Sequence, residues 1–538
     1  MKRLLQNLLL LGSLFLISFS AAAGYYYKYS PARFSYNFRN NEADIKTGSL
    51  SGKDSIPSYV TSYFYVYDNK KDDYVLEDVE TVPITGVWSY AFKNCTNLTE
   101  VTIPSTIRYI SHDAFLDCTN LTTVNLNAEN CYYIGINENY AGRGIFSAFS
   151  GCTSLKNVNI GKNVKRIPAV SFYECDGITS ITIPDSVLEI GEDAFNGCNN
   201  LSSVSLGNSV EIIGINAFYD CVSLNSINIP NSVTEIGDHA FCGCSSLPSI
   251  IIGNSVKTIG VSAFSNCSNL ASVTLGNSVK TIGVSAFSNC SNLASVTFDN
   301  SVETIEQAAF YDCRKLEYIT IPNSVTSIGK RAFSGCNSMN SATIGDSVIE
   351  IGEFAFEYCW GLTNISIGKS VTTIGTGAFS GCHGLISIEI PESVTTIGIG
   401  AFNFCRNLSK IVLGNYINTI NTLAFTDCTN LKEVTSLNPI PPTCNGASSK
   451  GSNFFSNISK CVLKVPKGSK EAYSTATVWK EFGNIVEIDV AAVEDIVIDN
   501  NVTEAARYDI HGRKLSEPAK GVNIIKMSDG TTRKELVK

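Results

Sequence analysis

The chain has 538 residues, a formal net charge of −9 and a pI near 5.2. This acidic balance argues against nucleic acid as a partner, because nucleic-acid binding needs a basic surface. The length would ordinarily imply several domains, but an internal repeat lets a chain grow by stacking instead.

The first 23 residues have the order that is typical of a secretory signal peptide. Lys2 and Arg3 precede an apolar run over 4–19, and small residues follow at 20–23. A membrane anchor is the alternative, but the run is shorter than the roughly 20 residues that a spanning helix needs. No later stretch is apolar enough to cross a bilayer. We therefore expect an exported protein with no transmembrane segment after signal removal.

Residues 24–86 show no clear repeat and are rich in aromatic residues, including Tyr25, Tyr26, Tyr63 and Tyr65. The first coil of a stacked array would expose its apolar end to water, so this region is interpreted as an N-terminal cap. The alternative is a tyrosine platform that stacks on carbohydrate.

Residues 87–435 contain fifteen repeat units. The stretch 253–274 recurs letter for letter as 276–297, an offset of 23 residues. Each unit carries one Cys at the same phase, with steps of 23 except a step of 34 after Cys118. Those cysteines are Cys95, Cys118, Cys152, Cys175, Cys198, Cys221, Cys244, Cys267, Cys290, Cys313, Cys336, Cys359, Cys382, Cys405 and Cys428. Such a period predicts a stacked solenoid.

Within a unit, the pattern L-x-x-V-x-I that follows the Cys predicts a strand. Pro or Gly ends that strand, a Ser-Val pair and an Ile-Gly pair form the return, and Ala-Phe-x-x-Cys closes the unit. About eight side chains per unit are expected to face inward. The Ile-Gly glycine is not interpreted as left-handed, since Pro168 holds the same slot; close approach of coils explains it better.

The repeat cysteines are expected to form a column of buried thiols. Side chains in a parallel stack are about 4.8 Å apart and point the same way, whereas a disulfide needs converging Cβ atoms about 3.8 Å apart.

An insertion at 136–147 interrupts the third unit, and the strand sheet is expected to continue beneath it. Loops on a scaffold often carry binding, but tolerated drift explains this loop equally well.

Residues 436–490 lose the phase and are interpreted as a C-terminal cap. Cys444 and Cys461 are out of phase with the column, so a disulfide between them is possible in an exported protein. Residues 491–538 hold short alternating runs at 496–498, 506–510, 522–526 and 533–537 with turns at His511-Gly512 and Asp529-Gly530, which predicts a small β module.

The unit I-P-x-S-V-x-x-I-G-x-x-A-F-x-x-C-x-x-L-x-x-V resembles the BspA-type leucine-rich repeat of exported bacterial proteins. The resemblance implies a β-rich leucine-rich repeat solenoid, a right-handed curved coil with a parallel β-sheet on the concave face. The run 508–515 followed by 520–524 resembles the C-terminal sorting domain of type IX secretion. That resemblance implies secretion to, or attachment at, the outer surface of a Gram-negative bacterium. A small β module that stabilises the chain end is the alternative.

Nothing in the sequence predicts an enzyme, a cofactor or a metal site. The four His (His112, His239, His383 and His511) share no repeat position, and Cys242-Gly243-Cys244 is a lone pair in which Cys244 belongs to the column. A catalytic site needs unlike residues that converge, whereas the array repeats one residue type along a row.

The concave strand positions are the ones that can act together, as parallel rows of short hydroxyl and amide side chains. The candidate ligand-binding residues are Ser203, Ser205, Ser226, Asn228, Ser249, Ser272, Thr274, Ser295, Thr297, Tyr318, Thr320, Thr343, Asn364 and Ser366. These residue types also simply suit exposed strands, and that interpretation stays open. Arg314, Trp360 and Tyr109 are candidate anchors at the rim, because aromatic residues and Arg dominate binding hot spots.

The sequence thus predicts a surface-associated protein that binds a macromolecule, by adhesion to a host or bacterial surface protein. A glycan-capturing protein and a non-binding structural component of a surface layer are the alternatives. The sequence predicts no oligomeric state.

Overall fold

The computed structural model describes residues 25–29, 34–39, 42–68, 73–137, 145–446, 454–489, 504–508, 514–515, 517, 521–527 and 532–537. The predicted signal peptide, the tip of the insertion at 138–144, the run at 496–498 and the turns at His511-Gly512 and Asp529-Gly530 lie outside the described residues.

The chain forms a parallel β-solenoid of about 17 turns with little helix, as the repeat predicted. Each repeat unit contributes two strands, which we call the first strand, after the repeat Cys, and the second strand, before the Ile-Gly glycine. The first strands are Leu98–Ile103, Thr123–Leu126, Asn157–Ile160, Ser180–Thr182, Ser203–Ser205, Ser226–Ile227, Ser249–Ile251, Ser272–Thr274, Ser295–Thr297, Tyr318–Thr320, Ser341–Thr343, Asn364–Ser366, Ser387–Ile390, Lys410–Leu413 and Glu433–Ser436.

The second strands were not predicted, because the Ile-Gly pair was interpreted as part of a turn. They are Tyr109–Ile110, Tyr133–Asn137, Arg166–Ile167, Glu189–Ile190, Ile212–Ile213, Glu235–Ile236, Thr258–Ile259, Thr281–Ile282, Thr304–Ile305, Ser327–Ile328, Glu350–Ile351, Thr373–Ile374, Thr396–Ile397, Thr419–Asn421 and Thr443–Asn445. From Arg166 to Asn445 they pair in one continuous thirteen-stranded parallel sheet, whereas the fifteen first strands divide into five groups of three. Gly52–Ser55 extends the first of these sheets to four strands, and Val462–Pro466 and Asn484–Ile488 extend the last to five.

The eight inward positions of each unit form the core. In the unit around Cys267, the side chains of Cys267, Leu270, Val273, Leu275, Val279, Ile282, Ala286 and Phe287 are all buried. The repeat Phe rings stack from Phe92 to Phe455 at centroid separations of 5.1–6.0 Å. A single unit could not bury this set, so the coils stabilise one another by stacking.

The predicted thiol column is confirmed. Cys267 and its neighbours are buried and form no disulfide. Most of the column thiols donate to the carbonyl oxygen of the Phe one coil earlier, as Cys267 Sγ does to Phe241 O at 3.2 Å and Cys290 Sγ to Phe264 O at 3.1 Å.

The Ile-Gly glycines approach the preceding coil closely and are not left-handed, as predicted, except for Gly135 at the insertion, which has a φ of 117°. A Cβ on Gly260 would lie 2.6 Å from the carbonyl carbon of Gly237 and 2.7 Å from Asp238 N. The left-handed residues are others, namely the residue before the repeat Ala and the residue before the repeat Cys, such as Ser262 (φ 52°) and Asn266 (φ 61°).

The insertion forms a hairpin in which Tyr133–Asn137 pairs antiparallel with Ile145–Ser147. The first strands continue in parallel register across it, from Thr123↔Asn157 to Leu126↔Ile160. The expectation that the sheet continues beneath the insertion is therefore confirmed.

The N-terminal region adds a coil that lacks the repeat pattern. Glu42–Gly48 and Gly52–Ser55 pair in parallel with Asp73–Val87 and Leu98–Ile103 respectively. Tyr59–Asp68 forms an antiparallel hairpin with Asp73–Val87. Tyr25–Tyr29 pairs antiparallel with Tyr59–Asp68. Phe34–Arg39 pairs antiparallel with Glu42–Gly48.

The region after the repeats covers the other end of the core. Val462–Pro466 and Asn484–Ile488 extend the first-strand sheet, and the helix Lys470–Thr475 with the 3₁₀ turns Ile458–Lys460 and Trp479–Glu481 lies beside them. The rings of Trp479 and Phe482 contact Phe455, the last ring of the stack.

Glu504–Tyr508, Lys514–Leu515, Gly521–Met527 and Thr532–Val537 form an antiparallel four-stranded sheet near the C-terminus. In the described part of the chain, no helix is long and apolar enough to cross a membrane.

Candidate binding surface

The predicted binding residues lie on the outward side of the first strands. Ser249, Ser272 and Ser295 are paired neighbours in one row, and Thr274 and Thr297 in the next. Farther along, Tyr318 and Asn364 flank Ser341, and Thr320, Thr343 and Ser366 form a second row. Ser203, Ser205 and Ser226 form a third group, with Asn228 exposed just beyond the strand. We call these candidate residues together the hydroxyl face.

The hydroxyl face is divided rather than continuous. Its three groups belong to three separate three-stranded sheets, beginning at Ser180, Ser249 and Tyr318. These breaks are not visible in the sequence, because the repeat period stays at 23 residues across each of them.

The outward side chains of the hydroxyl face make no hydrogen bonds to one another among the described contacts. Among the described contacts, Asn364 Nδ2 makes the one side-chain hydrogen bond of these candidates, to Thr363 Oγ1 at 3.4 Å. The first units differ, since Asn125 donates to Glu100 at 2.9 Å and Asn159 donates to Asn125 at 2.8 Å. The hydroxyl groups of the central units are therefore available to solvent or a ligand.

Charge is confined to the two ends of this surface. Lys53 pairs with Glu100 at 2.9 Å near the first units, and Lys464 pairs with Glu433 at 2.8 Å near the last. The hydrogen bonds from Lys53 and Asn125 hold the pKa of Glu100 below its ordinary value. Between these ends the rows are neutral, so a ligand there would be bound by hydrogen bonds rather than by ion pairs.

The prediction that Tyr109 is an anchor at the rim is wrong. Tyr109 lies on a second strand, half-buried, and burial together with a hydrogen bond to the Asp44 carboxylate raises the pKa of its phenol. Trp360 and Tyr318 are about half exposed, and Arg314 is exposed but pairs with Asp312 at 2.8 Å. Tyr109 therefore packs the N-terminal coil instead of facing a partner.

The possible disulfide between Cys444 and Cys461 is not formed, and both are free thiols. Cys444 lies on a second strand opposite Ile420, whereas Cys461 precedes a strand of the first-strand sheet and donates to Leu431 O at 3.1 Å. The two cysteines belong to different sheets, which is why their out-of-phase positions do not bring them together.

Sequence reasoning named only Trp360 from a group of residues at the turn around the repeat Cys, which we call the aromatic edge. It comprises Tyr358, Trp360, His383, Phe404 and Arg406, the residues directly before or after Cys359, Cys382 and Cys405. Most other units carry Gly, Asn or Asp before the Cys, and Ser, Thr or Asn after it. That departure is visible in the sequence, but it lies outside the strand positions from which the binding surface was predicted.

The described residues contain no group of three or more His, Cys, Asp or Glu that could hold a metal ion. Among the described contacts, the Cys242 thiol of the lone Cys-Gly-Cys pair accepts one hydrogen bond, from Asn266 Nδ2 at 4.0 Å. The arrangement offers surfaces for contact rather than converging reactive groups.

Solved structures of bacterial leucine-rich repeat proteins resemble this chain. A leucine-rich repeat protein from Bacteroides ovatus is 25% identical, with a TM-score of 0.53 over 81% of this chain and 98% of that one. A leucine-rich cell surface protein from Faecalibacterium prausnitzii is 26% identical, with a TM-score of 0.39 over 79% of this chain and 97% of that one. Among curated protein sequences there was no significant match.

The family model described as the BspA type leucine rich repeat region matches residues 79–140, 146–247, 211–340 and 303–432, well over half of the chain. The match ends before the C-terminal sheet, so the resemblance of that segment to a type IX sorting domain stays a prediction. The repeat period, the stacked solenoid and this match agree, and the chain belongs to the BspA-type leucine-rich repeat family.

Proposed function

We propose that this protein is exported to the outer surface of a Gram-negative bacterium and binds a macromolecular partner there, a protein of the host matrix or of another cell. The family match supports a binding scaffold, since leucine-rich repeat proteins generally bind proteins. The solved relative from Faecalibacterium prausnitzii is described as a cell surface protein. Export itself rests on the signal-like N-terminus and on the C-terminal resemblance.

The observation that carries the proposal is the state of the hydroxyl face. Ser249, Ser272 and Ser295 lie side by side with Thr274 and Thr297, and their hydroxyl groups make no hydrogen bonds to one another among the described contacts. Many weak polar contacts along such rows could hold an extended partner, and specificity would come from their position rather than from charge.

Replacing Ser272, Thr274, Ser295 and Thr297 together with Glu tests this surface. We expect the variant to lose capture of immobilised matrix proteins and of whole cells in a binding assay, because four carboxylates add charge to a neutral surface. Solvent-facing strand positions tolerate such changes, so far-ultraviolet circular dichroism should stay the same.

A matched control puts Glu at Thr258, Thr281, Thr304 and Ser327, which form the equivalent row on the second strands of neighbouring coils. The control should bind like the wild type. Unchanged capture by the hydroxyl-face variant, or equal loss in both variants, would remove the assignment. Self-association of the wild type without capture of any surface would instead favour the structural surface-layer alternative.

A further inference from the structure

The aromatic edge breaks the repeat at positions where the fold gives no reason to do so. The residue before each repeat Cys is left-handed, and in most units it is Gly, Asn or Asp, the residue types that tolerate this backbone. The exceptions are Glu174, Tyr358 and Phe404. Tyr358 and Phe404 hold φ values of 57° and 58°, a conformation that disfavours bulky side chains. Residues held in sparsely populated backbone conformations cluster at functional sites.

The local structure holds Tyr358 as a flat platform. A Cβ on Gly381, in the next coil, would lie 2.7 Å from Tyr358 Cδ1 and 3.1 Å from its Cε1, so the ring rests against the backbone of that glycine. Asn337, with its amide turned so that the nitrogen faces the carbonyls, donates to Tyr358 O at 2.8 Å. One side of the ring is therefore supported, and about half of the residue is open to solvent.

Phe354 shows that a ring supported by a glycine of the next coil is not always open to solvent on its other side. It rests on Gly377 in the same way, but Arg331 lies over it at 5.3 Å and Lys330 at 5.9 Å. Among the described residues no cation is placed over Tyr358, Trp360 or Phe404. These three rings are therefore the open ones at this edge.

Polar groups lie beside the open rings. His383 Nδ1 is 2.9 Å from Phe404 O, and if it donates there the ring is oriented and Nε2 is left to accept a hydrogen bond. Arg406 follows Phe404 by two residues and is exposed. In the three coils that carry the aromatic edge, the ring centroid of Phe379 is 5.3 Å from that of Phe356 and 5.2 Å from that of Phe402. Successive coils are therefore separated by about this distance along the edge.

We infer that the aromatic edge is a binding site for an extended glycan. A sugar ring has an apolar C–H face and a rim of hydroxyl groups, which match an exposed aromatic ring flanked by imidazole and guanidinium. Tyr358 and Trp360 flank one repeat Cys, Phe404 lies two coils farther on, and the His383 ring belongs to the coil between them, an arrangement that suits a chain of ring-shaped units. Protein hot spots instead cluster in a desolvated pocket surrounded by a protective rim. The site lies at the coil turns and does not depend on the hydroxyl face.

The test uses a printed array of neutral and acidic glycans with the mature full chain. The variant Tyr358→Asn, Trp360→Ser, Phe404→Asn restores the residue types of the other units, so it should fold at least as well as the wild type. We expect its binding to every glycan that the wild type captures to weaken by roughly tenfold or more. The control Tyr132→Ser removes an aromatic residue elsewhere that is at least as exposed, and this variant should bind like the wild type.

Tryptophan fluorescence gives a second readout. The chain has three Trp, of which Trp479 is fully buried and Trp360 is half exposed, so titration with a captured glycan should shift the Trp360 emission. An array without hits, or hits that the triple variant retains, would overturn the inference. Loss of a protease-sensitive ligand instead of a glycan would identify a protein site and overturn it as well.

Discussion

The glycine of the Ile-Gly pair is favoured by the close approach of neighbouring coils and not by its own backbone angles. Replacing Gly260 with Ala would place a Cβ 2.6 Å from the Gly237 backbone, which cannot yield as a flexible side chain can. We expect a loss of about 1–3 kcal/mol in the free energy of unfolding, because overpacking forces the coils apart. A urea titration of both proteins measures this loss.

The same repeat slot supplies the control. Glu306 occupies it in a neighbouring unit, so Glu306→Ala adds no atom near the preceding coil and should change stability little. Equal losses in the two variants would show that the slot does not depend on coil separation.

Sequence reasoning located one special backbone position and overlooked two others. The role of Gly260 could be interpreted from the sequence because Pro168 occupies the same repeat position in another unit, and Pro cannot adopt a positive φ. The left-handed residue before the Cys could have been found from Asn266, Asn289 and Gly243, which share a tolerance for positive φ. The one before the Ala could not, because Ser262, Arg331 and Leu423 share no such property.

At the scale of the element, the first strands and the core were predictable but the second strands were not. An alternating run such as Ser272–Thr274 followed by Leu275 carries its own strand signal. Thr281–Ile282 is two residues long and becomes a strand only because Thr258–Ile259 and Thr304–Ile305 pair with it. Its conformation is therefore determined by stacking, which a single unit does not reveal.

The thiol column makes the array sensitive to alkali. Burial raises the pKa of Cys198, Cys359 and Cys428 to about 12, and raises that of Cys267 as well. Thiols of the unfolded chain ionise near pH 8.5. Stability is thus fully present below about pH 8.5 and is lost as the pH rises towards 12. In that window each thiol lowers the free energy of unfolding by ~1.4 kcal/mol per pH unit.

Thermal midpoints measured with a reductant between pH 7.5 and 9.5, below the ordinary pKa of Tyr and Lys, should fall steeply. A variant with Cys267→Ala and Cys290→Ala should show a shallower fall from a lower starting midpoint. A midpoint that stays constant to pH 9.5, or rapid alkylation of the native column thiols, would contradict the buried column.

At the scale of the whole molecule, a break in the repeat is a position that a ligand can distinguish from the equivalent positions of other coils. Ser272 and Ser295 occupy identical units, so they differ only in position along the array. Tyr358 and Phe404 are distinguished from their equivalents in neighbouring units, and a ligand can recognise that difference. The sequence contained this information, but judging it required the left-handed backbone and the open rings that the structure adds.

The C-terminal end of the array offers a test of whether destabilising one coil also destabilises distant coils. Trp479 is fully buried, contacts Phe455 at 5.6 Å and donates Nε1 to Pro442 O at 2.8 Å. Trp479→Ala should cost about 3–5 kcal/mol at this end, because it leaves a cavity above the last ring of the stack. Each coil contacts only its neighbours, so we expect faster amide hydrogen exchange over 387–436 and unchanged protection over 249–305.

The control is Trp360→Ala, which removes a half-exposed ring and should leave both regions protected. A uniform loss of protection along the array in the Trp479 variant would mean that the coils unfold as one cooperative unit and that the cap stabilises all of them.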